Sequence, residues 1–471
     1  MKEKTLTIKP VTRVEGHAKV SIFLNEQGQV DRATLNIMEF RGFEKFLEGR
    51  PIEEAPNIVT RICGICPVSH HLVSAKACDR AVGVSPTETA TKLRELMHMG
   101  QYIHNHPLHI LFLGGPDFLL EDVGPTERNI VGLLKAHPAL ASKAIEVRAF
   151  GQKVVEIAGG SAIHPTTSLP GGISKHPGKG RLENLRDEIG SVKNKADQII
   201  SAVEKGVEKK FESLLSEDSW KSHYMALNRG GNFELYDGNI RIIGKDGAVE
   251  EDFEASDYPK RIEEHVEGWS YTRFPYYKKE GWPDGVYRVG PLARINVAEN
   301  IEMPKAAAKL KEIRSRFGHP LHDTFHYNTA RLMELIYAIE KAEAILSDDS
   351  ILHEDVRTPF EFRRGEGVAA IEAPRGTLIH HYKVNDHGII TGANIIVATT
   401  HNNGAMNRSV LNISKRLVKG EEVDYQLANK IESVIRHYDP CLSCSTHLDG
   451  RFKVEIALID NDGRLLQTLR N

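Results

Sequence analysis

Four of the five cysteines stand in two pairs of the form C-x-x-C, Cys63 with Cys66 and Cys441 with Cys444, near opposite ends of a chain of 471 residues. A thiolate is a soft ligand, and this spacing lets both sulfurs of a pair converge on one ion from a single turn. Four such sulfurs can close a tetrahedral site, and a structural zinc held by four cysteines is the commonest result. Two features weigh against a simple staple. Structural zinc usually holds a small local module together, whereas this chain is long enough to bury a core unaided. Each pair also sits among polar residues that a staple does not need, Arg61-Ile-Cys63-Gly64-Ile-Cys66-Pro-Val-Ser-His70 and Asp439-Pro440-Cys441-Leu-Ser-Cys444-Ser-Thr-His447. The odd, sparse cysteine count argues against a disulfide framework. Cys78, outside both pairs, reads as a small buried apolar residue.

At these residues the sequence resembles the large subunit of nickel-iron hydrogenases, whose signatures R-x-C-G-x-C-x-x-x-H and D-P-C-x-x-C-x-x-H/R are both matched in full. Thr12 to His17, Arg41 to Glu44, His106 to Asp117, Glu372 to Gly376 and Val397 to Asn403 look like further family segments, in the right order. The resemblance implies that Cys63 and Cys441 bind nickel terminally, while Cys66 and Cys444 bridge it to an iron carrying carbon monoxide and two cyanides. Soft thiolates suit such a pair of metals. It further implies that dihydrogen is split heterolytically, with Cys441 taking the proton and Glu15 relaying it onward. A carboxylate within hydrogen-bond reach of a thiolate is the kind of group such a path requires. Arg375 aligns with an arginine over the open edge of the metal pair, where it stabilises negative charge or acts as a positioned base. Asp117 and Asp439 align with the acids that orient that arginine. His70 resembles an imidazole that hydrogen-bonds a bridging thiolate and tunes the metal, and Thr399 a hydroxyl that donates to a cyanide. Glu44 and His447 resemble the ligands of a third metal, usually Mg2+, for which an imidazole is an untypical ligand.

Ala398-Thr399-Thr400-His401-Asn402 departs from the Pro-Ser-Thr-Trp-Asn of the membrane-attached branch and looks like the cytoplasmic branch that serves soluble carriers. In the family a maturation endopeptidase removes the segment beyond the last histidine of the second signature. Residues 448–471 therefore resemble that cleaved extension, expected either to pack on the surface or to hold the second motif open over an incomplete centre. With its four paired cysteines committed and Cys78 read as a buried apolar residue, the chain has no cysteines left to hold an iron-sulfur cluster. Electrons must pass to a separate iron-sulfur small subunit, and further electron-transfer subunits are expected to link it to a nicotinamide, a deazaflavin, ferredoxin or a disulfide reductase. No Gly-x-Gly-x-x-Gly loop offers a nucleotide seat. Three rivals remain: a structural zinc protein, a hydrogen-sensing regulator with the same site, and the hydrogenase-like subunit of quinone-reducing complexes, whose cysteine pairs are lost.

The elements that must position these residues show in the periodicity. Lys19 to Leu24 and Ala33 to Met38 alternate apolar and polar about a turn at Asn25 to Gly28, a hairpin pattern. Ser85-Pro86-Thr87-Glu88 has the form of a helix start with Ser85 as cap, and a helix runs on to about His104. Ser142 to Ile157, Leu182 to Leu215 and Asp323 to Leu346 carry helical periodicity. Gly376 to Thr399 reads as a hairpin about Asn385-Asp386-His387-Gly388, and a last strand pair surrounds Asn461-Asp462-Gly463. His104, His106 and His109, close together, read individually as core or surface histidines. The expected fold is α+β and mainly helical, a central helical bundle with peripheral β-hairpins. It forms one domain over 1–447, with 232–282 a peripheral insertion of short strands and loops.

Composition bounds the function. Apolar residues make up 40% of the chain and charged residues 27%, ordinary globular usage. Basic and acidic side chains, 61 and 64, nearly cancel, leaving no global field to attract nucleic acid. No run of 18 apolar residues suggests a direct membrane span, and the N-terminus lacks the apolar core of a secretory signal, so the chain reads as cytoplasmic.

Overall fold

The amphipathic stretches become long helices that pack side by side. The computed structural model describes residues 4–37, 39, 41–120, 123–124, 126–208, 218–420, 422, 424–446, 455–459 and 465–470. In chain order, β1 (Lys4–Ile8), β2 (Ala18–Leu24) and β3 (Val30–Ile37) form an antiparallel sheet. Helices α1 (Pro67–Val82), α2 (Glu88–Pro107), α3 (Pro138–Gly159) and α4 (Lys179–Glu208) come next. After β4 (His223–Arg229), β5 (Asn239–Ile243) and β6 (Val249–Phe253) comes α5 (His326–Leu346). The antiparallel sheet of β7 (Gly365–Ala373), β8 (Gly376–Val384) and β9 (Ile390–Ile396) precedes α6 (Asn403–Leu417) and α7 (Tyr425–His437). A last antiparallel pair, β10 (Glu455–Ile459) and β11 (Leu465–Arg470), lies beyond the second cysteine motif.

The helical core is α2 against α3 and α5, with α4 packed across α3 and α5. Helix α1 instead lies across β7 and β8, and the apolar cluster between them contains all four paired cysteines. The expected α+β architecture with a helical centre is therefore the one observed. The two hairpin turns share one construction. Asn25 Oδ1 accepts from Gln27 N and Gln29 N, and Asn385 Oδ1 accepts from His387 N and Ile389 N. Gly28 (φ 72°) and Gly388 (φ 70°) then take the left-handed step each turn needs.

Two expectations need adjustment, and part of a third lies outside the described residues. Helix α2 is capped by Thr87, whose Oγ1 accepts from Ala90 N, so it starts two residues later than a Ser85 cap implies. The C-terminal part of the stretch to Leu215 lies outside the described residues beyond Glu208. Segment 232–282 does consist of short strands and loops, but its strands up to Phe253 belong to a larger sheet that begins with β4 and also pairs Tyr287–Arg288, while Ile262–His265 and Phe274–Tyr277 form a separate pair. Met225, Leu227, Ile240, Ile242 and Phe253 are buried in one cluster with Val368, Ala370, Ile379 and Ile396. That sheet therefore backs the strands carrying Arg375 and is not merely peripheral.

Candidate metal centre

Cys63 ends a turn of 3-10 helix at Val59–Ile62 in extended conformation, and Cys66 sits at the N-terminus of α1. Cys441 caps a second 3-10 turn, Leu442–Cys444, which Cys444 ends. Between these turns the four sulfurs come within 4.8 Å of one another, all buried. Cys63 Sγ lies 3.2 Å from Cys441 Sγ, and Cys66 Sγ lies 3.7 Å from Cys444 Sγ. Backbone N–H groups of Ile65 and Cys66 both donate to Cys63 Sγ at 3.2 Å. The second motif is thus closed upon the first. Burial pushes the Cys441 and Cys444 thiols well above the ordinary thiol range. Burial opposes ionisation of Cys63 too, but hydrogen bonds from the other thiols and the nearby Arg375 charge bring it well below. Four buried thiolates this close together repel one another, and a bound cation would offset that repulsion.

Arg375 occupies the two-residue turn between β7 and β8, with Ala373 paired to Gly376. Its Nε donates to Asp439 O at 2.6 Å and its Nη2 to Asp439 Oδ1 at 3.1 Å, while buried Nη1 has no hydrogen-bond partner. Burial would discharge this guanidinium, but Asp439, Cys441, Cys66 and Cys63 outweigh that and raise its pKa. His109 Nδ1 lies 3.1 Å from Asp439 Oδ1. The turn itself is held from below by Arg294, whose Nη1 donates to Ala373 O at 3.0 Å and Nη2 to Pro374 O at 3.1 Å. Arg294 also pairs with Glu334 (2.6 and 2.7 Å) and Glu372 (2.7 Å), every partner fully buried. His106 Nε2 adds a 2.8 Å contact to Glu334. Replacing Arg294 by methionine leaves two buried carboxylates uncompensated. We expect a loss of about 3–5 kcal/mol, seen as a lowered thermal midpoint.

Glu15 lies against the second motif through a parallel bridge to Cys441, with Leu442 N donating to Glu15 O at 3.0 Å. Its carboxylate accepts from Cys441 Sγ at 3.0 Å, from Ser443 N at 3.2 Å and from Ser443 Oγ. Next to it, a Cβ on Gly16 would meet Leu442 Cβ at 2.9 Å and Ser443 N at 3.0 Å, so the close approach requires glycine. Asp117 does not orient Arg375. Both of its oxygens are engaged elsewhere, by Arg13 and by Arg436 Nε at 2.8 Å. Burial would raise this carboxyl, but Arg436 and Arg13 bring it down to about 2. Its partners come from segments far apart in sequence, Arg13 on one side and Asn429 and Arg436 of α7 on the other, which the local motif does not show. Among the described residues, Asp439 is the acid that hydrogen-bonds Arg375.

Thr399 Oγ1 accepts from Cys441 N at 2.9 Å, which leaves its own O–H available to donate. His70 Nδ1 is 3.3 Å from His380 Nε2, and its buried Nε2 has no hydrogen-bond partner. Burial takes this imidazole down to about 4, so it is neutral. Glu44 Oε1 accepts from Ile395 N at 2.6 Å, and His447 lies outside the described residues. Cys78 is buried with its Sγ against Ile52 O, as a core residue. The residues not foreseen are Ser443, His109, Arg294 and Glu334. Ser443 stands inside a quoted motif, His109 belongs to the histidine run taken as bland, and Arg294 is a lone charge in the apolar stretch Pro291–Val297.

A donor set of four converging buried thiols under a fixed guanidinium defines a metalloprotein centre in an α+β fold. The chain belongs to the nickel-dependent hydrogenase family, which matches residues 41–144 and 125–447, and it is a large, catalytic subunit, part of an oxidoreductase acting on dihydrogen. Residues 5–40 match a second description, HoxL-like. The chain is 42% identical to one subunit of the F420-non-reducing hydrogenase of Methanothermobacter thermautotrophicus, over 98% of this chain and 99% of that one. It is 38% identical to the NAD-reducing hydrogenase HoxS subunit beta of Cupriavidus necator, over 98% and 99%. A crystal structure of an NAD+-reducing [NiFe]-hydrogenase in the H2-reduced state superposes with a TM-score of 0.90 at 41% identity, covering 94% and 99% of the two chains. The Ni-Fe-Se hydrogenase from D. vulgaris Hildenborough gives 0.75 at 26%, covering 95% of this chain and 100% of that one. Family membership decides against a structural zinc protein and against the quinone-reducing relatives.

Proposed function

We propose that Cys63, Cys66, Cys441 and Cys444 hold a nickel-iron pair, with Cys66 and Cys444 also on an iron bearing carbon monoxide and two cyanides. The observation that carries this reading is the convergence of four buried sulfurs beside an arginine whose Nη1 is unpaired. The Thr399 hydroxyl and the unpartnered His70 Nε2 are donors of the kind that anionic ligands and sulfurs require. When bound, the metal pair supplies the place where the H–H bond is polarised and two electrons are taken up. The chain's own residues do the rest. Arg375, fixed by Asp439, keeps a positive charge over the site. Its raised pKa favours the electrostatic role over that of a base. Cys441 Sγ holds the proton, and Glu15 Oε2, 3.0 Å away on a half-buried residue, takes it toward solvent.

Electrons need a second exit. Gly64 is exposed between two buried cysteines, and Phe43, Phe46, Ile58 and Arg61 line an adjoining recess of about 770 Å3, with Phe46 53% exposed. We read this face as the seat of an iron-sulfur small subunit, with further electron-transfer subunits and a soluble acceptor beyond it. A cytoplasmic setting fits, and among the described residues no helix is long and apolar enough to cross a membrane. Glu44 and His447 are read as ligands of Mg2+, and the segment after His447 as the substrate of a maturation endopeptidase. Metal analysis and infrared spectra of the purified complex test the whole reading. Nickel, iron, and carbonyl and cyanide bands are expected. Zinc alone in a matured sample overturns it. Cys444→Ser, which removes one of the four sulfurs that would hold the metals, should abolish nickel retention in the same assay.

A further inference from the structure

Arg13 and Asp439 are the non-glycine residues with positive φ among the described residues, at 57° and 53°. Such a conformation is costly for a residue with a side chain and persists only where surrounding contacts enforce it. Each stands two positions ahead of one member of the proton pair, Arg13 before Glu15 and Asp439 before Cys441. Arg375 and His109 restrain Asp439 through the contacts given above. A different network, built on Asp117, restrains Arg13.

Three distant segments meet there. Arg13 Nη2 donates to Asp117 Oδ1 and, at 2.9 Å, to Asn429 Oδ1, while its Nη1 donates to Leu113 O at 2.8 Å. Arg436, at the end of α7, donates through Nε to Asp117 Oδ2 at 2.8 Å and through Nη2 to Asn429 Oδ1 at 2.7 Å. Arg436 Nη1 reaches Thr12 O at 3.2 Å and Glu432 Oε2 at 2.9 Å, and Thr12 Oγ1 donates to the same Glu432 oxygen at 2.6 Å. Side-chain exposure is 12% for Arg13, 6% for Asp117 and 0% for Arg436. Two buried guanidinium groups share one carboxylate, so neither segment can shift without unpairing a charge. The chain that leaves Arg13 becomes Glu15, and the chain that leaves Arg436 becomes Cys441.

We propose that Asp117 is a positioning residue for proton transfer, clamping the Thr12–Arg13 segment to the end of α7 and so setting the Glu15 to Cys441 separation. The inference rests on the reading of Glu15 and Cys441 as the proton pair. It differs from the role that the family resemblance implies for Asp117, since the residue acts on the proton side of the centre and not on Arg375.

The test compares Asp117→Asn, Asn429→Ala and Glu15→Gln in the purified complex at matched nickel content. Exchange between dihydrogen and deuterated water is measured together with the KM for dihydrogen, the carbonyl and cyanide infrared bands, and amide exchange over residues 440–446. A displacement on the scale of an ångström costs up to about 10²-fold in a positioned step. The expected result for both network variants is exchange slowed by about tenfold to 10²-fold, with KM and infrared bands unchanged. Faster amide exchange at Leu442, whose N–H donates to Glu15 O, should accompany it. If Asp117→Asn fails to accumulate, Asn429→Ala, a neutral change at a half-buried residue, decides alone. Wild-type isotope exchange in the network variants, with loss in Glu15→Gln, overturns the positioning role and leaves the relay standing. Wild-type exchange in Glu15→Gln removes the relay itself, and the inference with it.

Discussion

Replacing Arg375 by lysine lowers hydrogen uptake by about 10²–10³-fold, the loss expected when one preorganised donor is removed from a water-poor site, while nickel content and the infrared bands stay as in the parent. The physical ground is the geometry of the guanidinium. Arg375 uses Nε and Nη2 on one residue, Asp439, and thereby leaves Nη1 buried and unpaired beside the sulfurs. A lysine keeps a charge but has a single nitrogen. Its three N–H donors radiate from one point, so a nitrogen held against Asp439 is drawn away from the centre, and one placed over the centre leaves Asp439 poorly paired in a buried site. The two failures separate experimentally, because the second lowers thermal stability and the first does not. Unchanged turnover in Arg375→Lys, with metal intact, would mean that the unpaired nitrogen has no part in the reaction.

The difference between what the chain announces and what it conceals comes from the range of the interactions. C-x-x-C pairs, the Asn25 and Asn385 turns and the helix periodicities are local patterns, and each is set by residues within a few positions of one another. Most of these appear in the structure where the pattern puts them, with a cap shifted from Ser85 to Thr87, a helix that begins at His326 and not Asp323, and the end of the stretch to Leu215 outside the described residues. Buried charge is another matter. Asp117 lies 104 positions from Arg13 and 319 from Arg436, and Arg294 lies 40 from Glu334 and 78 from Glu372. No spacing rule connects residues so far apart, and an acid two residues after Gly115 carries no mark of which arginine it will meet. The sheet around β4 to β6 was hidden for a related reason. Its strands alternate poorly because Arg241 and His223 are buried in it, and its cover, Val368 to Ile396, lies more than a hundred residues on.

Glu15→Gln is the change with the sharpest expected separation of effects. Glutamine keeps the length, its one carbonyl oxygen can still accept from Ser443 Oγ or Ser443 N, and Leu442 N still donates to the backbone O of residue 15, so the contact between that segment and the second motif survives. What it loses is the capacity to take a proton from Cys441 Sγ, which lies 3.0 Å from Glu15 Oε2. A positioned acid-base group contributes about 10²–10⁴-fold, and exchange between dihydrogen and deuterated water should fall by that factor. The complex should still bind nickel and show unaltered carbonyl and cyanide bands, because Glu15 touches only one of the four sulfurs and through hydrogen alone. Glu15→Asp gives the complementary result. Its carboxylate is chemically competent but one methylene short, so some exchange returns as the reach across a 3.0 Å contact is partly recovered by the chain or by water. Recovery in aspartate and not in glutamine identifies proton capacity as the property selected at this position. Equal loss in both would point to the Ser443 contacts, and to a structural function for Glu15.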